Sequence, residues 1–154
     1  MPEVSDISLI TYLGDKRYPR GMRNNNPGNI RYNKNINWKG KISKEKSTDR
    51  SFEQFEKYWL GVRALIIILN SYYFKHQLKT IEKMINRFAP PVENETESYV
   101  SKVCKETGFK ARDQFIWNRQ NVNLLVRAIA RHENGRDPLI SENMFALAWL
   151  DLNP

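Results

Sequence analysis

Glu133 is the residue of this sequence best placed to transfer a proton. It follows the apolar run of residues 128–130 and precedes Gly135, so the spacing predicts a helix that ends beside it. The negative end of the helix dipole and partial burial both favour the protonated form of a carboxyl group. A protonated glutamic acid in such a setting is the general acid of glycoside cleavage. Position alone, however, favours a structural ion pair with Arg131 or Arg136.

A second unusual segment lies far upstream, where residues 20–31 read RGMRNNNPGNIR. Asparagine side chains compete with the backbone for hydrogen bonds, Pro27 has no N–H group, and Gly28 tolerates positive φ. The segment is therefore a tightly specified turn. Its amides both donate and accept hydrogen bonds, so the surface suits a neutral ligand rich in hydroxyl and acetamido groups, such as an amino sugar. A capped turn that binds nothing is the alternative.

The composition is that of one ordinary globular domain with a basic surface. The chain has 154 residues, of which 40% are hydrophobic and 27% charged. Its 25 Lys and Arg against 17 Asp and Glu give a net charge of +8, which favours an anionic partner: nucleic acid, a membrane surface or a cell-wall polymer. The single cysteine, Cys104, excludes an intrachain disulfide. Neither His76 nor His132 has metal-like spacing and no Gly-rich phosphate loop occurs, so we expect no metal and no cofactor.

Periodicity predicts a mainly α fold of the α+β kind, with one small β region near the N-terminal third. We expect residues 1–19 to be a leader that packs on the body, and residues 20–154 to form a single domain. The β region falls in residues 30–42, with a short strand or bend at residues 51–55. Helices are predicted at residues 56–74, at 80–88, from 94 or 96 to 107, at 121–131, and from Ser141 onward. Thr80 is the expected N-cap of the second, Ser141 opens the last, and Gly108 ends the third.

Two of these segments resemble known wall-degrading enzymes. Residues 129–138, IARHENGRDP, resemble the end of the catalytic helix in lytic transglycosylases and goose-type lysozymes, with Asn134 where those enzymes carry serine. Residues 25–31, followed by Phe52 and Phe55, are similar to the Asn-rich turn of wall-degrading glucosaminidases. Phage-associated lysozyme-like domains share the RGMRNNNPGN string and an APPxENxTxxY segment, matched here by residues 89–99. Because Glu133 follows the turn instead of preceding it, the resemblance implies a circularly permuted lysozyme-like domain.

The resemblance implies cleavage of the β-1,4 bond between N-acetylmuramic acid and N-acetylglucosamine in peptidoglycan, with Glu133 as the acid. Asp49 and Glu53 are the candidates for a second carboxylate, whose absence would suit a lytic transglycosylase instead of a lysozyme. Glu93 is the alternative acid, although its place before a helix favours a capping or positioning role. The candidate substrate-binding residues are Asn25, Asn26, Asn29, Arg31, Trp38, Arg63, Tyr99 and Asn134.

Two other functional classes remain open. The first is a noncatalytic peptidoglycan-binding or structural virion protein with the same fold. The second is a nucleic-acid-binding helical module, which the positive charge allows. No nucleic-acid motif supports it, so we rank it below both peptidoglycan hypotheses. We expect peptidoglycan as the partner, no nucleic acid, no membrane insertion, and a monomer. No signal peptide is visible, which predicts action at the bacterial cell wall after release, after injection or as a virion component.

Overall fold

A computed structural model describes residues 7–154, and its regular structure is almost entirely helical. The helices in chain order are α1 (Arg20–Arg23), α2 (Tyr58–Asn70), α3 (Ile81–Phe88), α4 (Thr96–Thr107), α5 (Arg119–Asn134) and α6 (Glu142–Leu152). The mainly α prediction is confirmed. In this part of the chain the predicted β region amounts to two isolated antiparallel bridges, which join Arg31 to Phe52 and Lys41 to Phe55.

Local side-chain chemistry sets the helix ends. Thr80 accepts a hydrogen bond from the backbone N of Lys83, and Ser141 accepts one from the backbone N of Met144, so both are N-caps, as predicted. The helices α4 and α5 end at Gly108 and Gly135, whose φ values of 83° and 66° are left-handed. These ends need no tertiary contact, and this is why sequence reasoning located them.

Two helices differ from the prediction in their boundaries. Helix α5 begins at Arg119 because the side chain of Asn118 accepts a hydrogen bond from the backbone N of Asn121, which makes Asn118 the cap. The long helix predicted for residues 56–74 begins at Tyr58, and after Asn70 it widens into a π-helix over Ser71–Lys75. Such wider turns occur often at functional sites.

Helix α2 runs through the core of the molecule. Apolar residues occupy nearly all of its circumference, as expected for a helix that is covered on every side, and Leu60, Val62, Leu65 and Leu69 are all buried. It packs against α6 and α5, while α5 also packs against α4 and α1. These contacts bring the C-terminal end of α5 against the Asn-rich turn, which follows α1.

Part of the predicted leader packs on this body. Ile7 is buried and Ile10 packs on the core, whereas Leu9 and Leu13 are exposed. The backbone N of Tyr12 donates to Oδ1 of Asn25 over 2.9 Å, which ties the segment to the Asn-rich turn. The first six residues of that leader lie outside the described residues.

Candidate active site

Glu133 lies in the last turn of α5, and two neutral groups from distant segments hold its carboxyl group. The side-chain amide of Asn29 donates to Oε1 over 3.0 Å, across 104 residues of sequence. The hydroxyl of Tyr99 donates to Oε2 over 2.8 Å, across 34 residues. Each oxygen therefore has its own donor, and the orientation of the carboxyl group is defined from both sides.

Among the described residues, no cationic side chain binds the Glu133 carboxyl group. Arg131 pairs with Glu106 over 3.0 Å, and Nε of Arg136 donates to the backbone O of Asp137. Within residues 7–154, no Lys or Arg nitrogen lies within 4.0 Å of the Glu133 carboxyl oxygens. The structural ion pair that position alone favoured for Glu133 is thus not formed.

Tyr99 supports Glu133 from the interior instead of facing a ligand. It is buried on α4, and its ring stacks on that of His132 with 3.6 Å between the ring centres. Burial, with the neighbouring Glu133 as a further cause, raises the pKa of Tyr99 well above its usual value, so the hydroxyl keeps its proton and remains a donor. The prediction that Tyr99 stacks on a sugar ring is corrected by this placement.

Glu133 opens onto a cleft of about 410 Å³. Its walls come from the Asn-rich turn, from the irregular region after it, from the α2 end and from the segment after α3. The lining residues are Gly28, Asn29, Ile30, Arg31, Asn33, Ile36, Trp38, Phe52, Ile68, Tyr72, Arg87, Phe88, Ala89, Pro90, Glu93, Asn94 and Glu133. The motifs at residues 20–31 and 89–99, far apart in sequence, meet across this cleft.

Four of the predicted site residues line the cleft with Glu133: Asn29, Arg31, Trp38 and Glu93. Arg31 and Glu93 are both exposed and lie 3.6 Å apart, and the Arg31 guanidinium also covers the ring of Phe52. Nε1 of Trp38 and Oδ1 of Asn29 are buried without a hydrogen-bond partner among the described residues. Both atoms are shielded from solvent, so neither is open to a ligand in the cleft as the side chains stand.

Asn25 and Asn26 do not reach the cleft. Both are fully buried, and their amides bond to backbone: Asn25 donates to the O of Phe55, and Asn26 donates to the O atoms of Ile30 and Glu53. These contacts hold together the turn and the segment that pairs with it. The predicted role of Asn25 and Asn26 in sugar binding is therefore corrected to a role in building the turn.

Asn134 and Arg63 are likewise outside the cleft. The Asn134 amide donates to the backbone O of Pro27 over 2.9 Å, and its Oδ1 accepts from the backbone N of Met22, so the side chain fastens α5 to the Asn-rich turn. Arg63 pairs with Asp151 over 2.7 Å, elsewhere on the surface. Both were predicted to bind substrate, and both instead hold segments of the fold together.

The two candidate second carboxylates are engaged in structural contacts. Arg20 donates two hydrogen bonds to Asp49, of 2.7 and 2.8 Å, and these hold the pKa of Asp49 well below its usual range. Glu53 is 1% exposed and bonds to Nζ of Lys41 over 2.9 Å. Neither lines the cleft, where the carboxyl groups are those of Glu133 and Glu93.

Tyr72 and Arg87 are among the cleft residues that were not predicted. Tyr72 lies in the π-helix and Arg87 in the last turn of α3, and the Arg87 guanidinium lies 5.5 Å from the centre of the Tyr72 ring. The only indication in the sequence that either residue belongs to the site was the nearness of Arg87 to the segment at residues 89–99.

Among residues 7–154, no three His, Cys, Asp or Glu side chains gather as a metal site, and no helix is long and apolar enough to cross a bilayer.

Comparison with known proteins relates this chain to a phage protein. No protein-family profile matches it. Protein P5 of Pseudoalteromonas phage PM2 is 36% identical over 121 residues, which cover 77% of this chain and 73% of that protein. Identity at this level over most of both chains indicates common descent. The chain therefore belongs to the same family as Protein P5 of phage PM2.

Proposed function

We propose that this protein cleaves the glycan strands of peptidoglycan at the β-1,4 bond between N-acetylmuramic acid and N-acetylglucosamine, with Glu133 as the general acid. The observation that carries the proposal is the double support of Glu133 by Asn29 and Tyr99 at the wall of an open cleft. General acid catalysis needs a carboxyl group held in one orientation toward its substrate, and this arrangement supplies it.

The chemistry needs one proton carrier. Protonated Glu133 gives its proton to the glycosidic oxygen as the bond to the anomeric carbon breaks and positive charge develops on the sugar ring. In the transglycosylase version, the 6-hydroxyl of the same muramyl residue attacks the anomeric carbon and returns its proton to Glu133. This version needs no second carboxylate, and Asp49 and Glu53 are both committed to ion pairs outside the cleft. Glu93, the other carboxylate of the cleft, lies 3.6 Å from the Arg31 guanidinium.

Other lining groups fit a polar sugar chain. Arg31 and Arg87 line the cleft and can meet lactyl or peptide carboxylates. The rings of Phe52 and Tyr72 lie at the same wall, each with an arginine guanidinium over it. The meeting of the two resembling motifs in one cleft supports a circularly permuted lysozyme-like α+β domain as the origin of this arrangement.

A second candidate is a noncatalytic wall-binding or structural virion protein with the same fold. The observation that favours it is the relationship to a phage protein. A particle component of this kind would use the cleft to hold the wall without cutting it. Either function would place the protein at the bacterial cell wall, carried by a particle or released during lysis.

The deciding experiment measures loss of turbidity of purified peptidoglycan with wild type, Glu133→Gln and Glu93→Gln, with mass analysis of the released fragments. We expect Glu133→Gln to lower the rate by about 100-fold or more, the usual size of a lost general acid, and Glu93→Gln to retain activity. Anhydro-muramyl ends would identify a transglycosylase, and reducing ends a lysozyme.

Equal clearance by wild type and Glu133→Gln would remove Glu133 as the acid. Failure of folded wild type on walls of several chemotypes, combined with binding to them, would establish the noncatalytic candidate.

A further inference from the structure

A second concave surface lies between α4 and α5, and we call it the α4–α5 groove. It measures about 610 Å³, and its charged lining consists of Lys102, Lys105, Glu106, Arg131, His132 and Arg136. Four cations thus face one carboxylate, which is already paired with Arg131 over 3.0 Å. A concave surface with this excess of one sign attracts a ligand of the other sign.

Three cations of the groove, Lys102, Lys105 and Arg136, have no carboxylate partner within 4.0 Å among residues 7–154. Lys102 and Lys105 are three residues apart on α4, so they lie on the same face of the helix. Both are exposed, and within residues 7–154 no carboxylate oxygen lies within 4.0 Å of either ammonium group. Two like charges at this spacing repel each other, and a bound anion would relieve that repulsion.

The groove and the cleft lie on different sides of the C-terminal end of α5. His132 lines the groove and Glu133 lines the cleft, and these consecutive residues have Cα atoms about 3.8 Å apart. Burial lowers the pKa of His132, Glu133 opposes that shift, and the charge of Lys102 adds to it, which places Lys102 within electrostatic reach of the ring. A ligand long enough to pass around this helix end would contact both surfaces.

We propose that the α4–α5 groove binds the carboxylates of the peptide stems carried by the strand whose sugars lie in the cleft. This inference rests on the proposed function. Each stem branches from the lactyl group of a muramyl residue, beside the bond that Glu133 would cleave, and it carries several carboxylates. A groove that is basic, open and adjacent to the acid has the chemistry and the position to take such a stem.

The test compares ligands with and without the peptide in a protein that cannot cleave them. In the Glu133→Gln background, binding of a disaccharide-tetrapeptide and of the same disaccharide without peptide is measured by titration calorimetry. We expect Lys102→Ala with Lys105→Ala to weaken binding of the peptide-bearing ligand about fivefold, the effect of losing two exposed ion pairs, and to leave the peptide-free ligand unchanged. Both changes preserve helix propensity in α4.

The matched control is Lys46→Ala with Lys75→Ala, which removes the same charge from exposed positions outside the groove. The control should bind both ligands as the Glu133→Gln parent does. In addition, the chain has two histidines, so their imidazole proton resonances in NMR spectra report directly on where the ligand binds. Addition of the disaccharide-tetrapeptide should shift the His132 signal and leave that of the exposed His76 in place.

Three outcomes would overturn the groove assignment: equal loss of affinity for both ligands, no loss in the groove variant, or an unmoved His132 signal. Tight, salt-sensitive binding of duplex DNA that the groove variant loses would assign the groove to nucleic acid instead. Failure of the groove assignment is distinguishable from failure of the proposed function. If only the groove assignment is wrong, wild type still cleaves peptidoglycan, whereas if the proposed function is wrong, it does not.

Discussion

The hydroxyl of Tyr99 lies 2.8 Å from Oε2 of Glu133, which joins the buried face of α4 to the last turn of α5. Because Asn29 binds the other carboxyl oxygen, the packing of α4 and α5 against the Asn-rich turn determines how Glu133 faces the cleft. The geometry of the candidate acid is therefore a property of three segments, and changes in any of them should alter turnover.

Removing one hydroxyl tests this relationship directly. Tyr99→Phe retains the ring that stacks on His132 but loses the donor to Glu133. We expect turnover of peptidoglycan to fall about tenfold and the free energy of unfolding to fall by about 1 kcal/mol, the usual effect of one lost hydrogen bond. Turbidity assays and urea denaturation measure the two effects.

The matched control is Tyr73→Phe, which removes another buried hydroxyl, whose acceptor is the backbone O of Phe115. It should lose similar stability and keep full turnover per folded molecule. Equal turnover losses in the two variants would mean that Tyr99 acts through stability alone.

Asn29 can be tested without backbone strain. Its φ is 49°, a left-handed value that glycine adopts freely, so Asn29→Gly removes the amide while the turn keeps its shape. We expect turnover to fall about tenfold because Oε1 of Glu133 loses its donor. The measurement is the initial rate of wall clearance.

Gln77→Gly is the corresponding control, since Gln77 has a φ of 56° and is exposed away from the cleft. It should clear walls at the wild-type rate. Undiminished turnover in Asn29→Gly would show that Tyr99 alone is enough to orient the acid.

We expect Asp49 to contribute to the free energy of unfolding at neutral pH and not to catalysis. Hydrogen bonds from Arg20 lower its pKa in the folded state below the usual 3.8. A depressed folded pKa contributes stability above the unfolded pKa, and this contribution is lost as the pH falls below it. Asp49→Asn should therefore cost about 2 kcal/mol at pH 7, and the difference from wild type should shrink below pH 4.

Urea denaturation between pH 7 and pH 2 measures this difference, with the exposed Asp113→Asn as the control that changes little. Turnover per folded molecule at pH 7 should be the same in wild type and Asp49→Asn. A loss of turnover in a stably folded Asp49→Asn would restore Asp49 as a second catalytic carboxylate.

Sequence reasoning succeeded where local chemistry decides the structure. The caps at Thr80 and Ser141 and the left-handed glycines at 108 and 135 follow from side chains that bond to backbone within a few residues. The placement of Glu133 beside a helix end followed from the same signals. The predicted β region was larger than the two bridges observed, because alternation of apolar residues cannot show whether strands find partners.

The candidate site was only partly predictable. The types of residues in the Asn-rich turn indicated hydrogen bonding, but they did not show whether an amide bonds to backbone or to a ligand. Asn25 and Asn26 face the interior, whereas their neighbour Asn29 reaches Glu133 at the wall of the cleft. Asn134 was predicted from its place beside the acid, yet its amide bonds to Pro27 in a segment 107 residues away.

The sequence by itself therefore determined the helical class, the basic charge, the helix ends that carry a local cap and the position of one carboxyl group at the end of α5. Only the tertiary structure decided that Tyr99 and Asn29 meet at this group and that Asp49 and Glu53 are engaged elsewhere. The physical reason is the sequence separation between the groups that interact. Helix caps and glycine turns are settled within a few residues, whereas the partners of a side chain depend on which helix faces pack together.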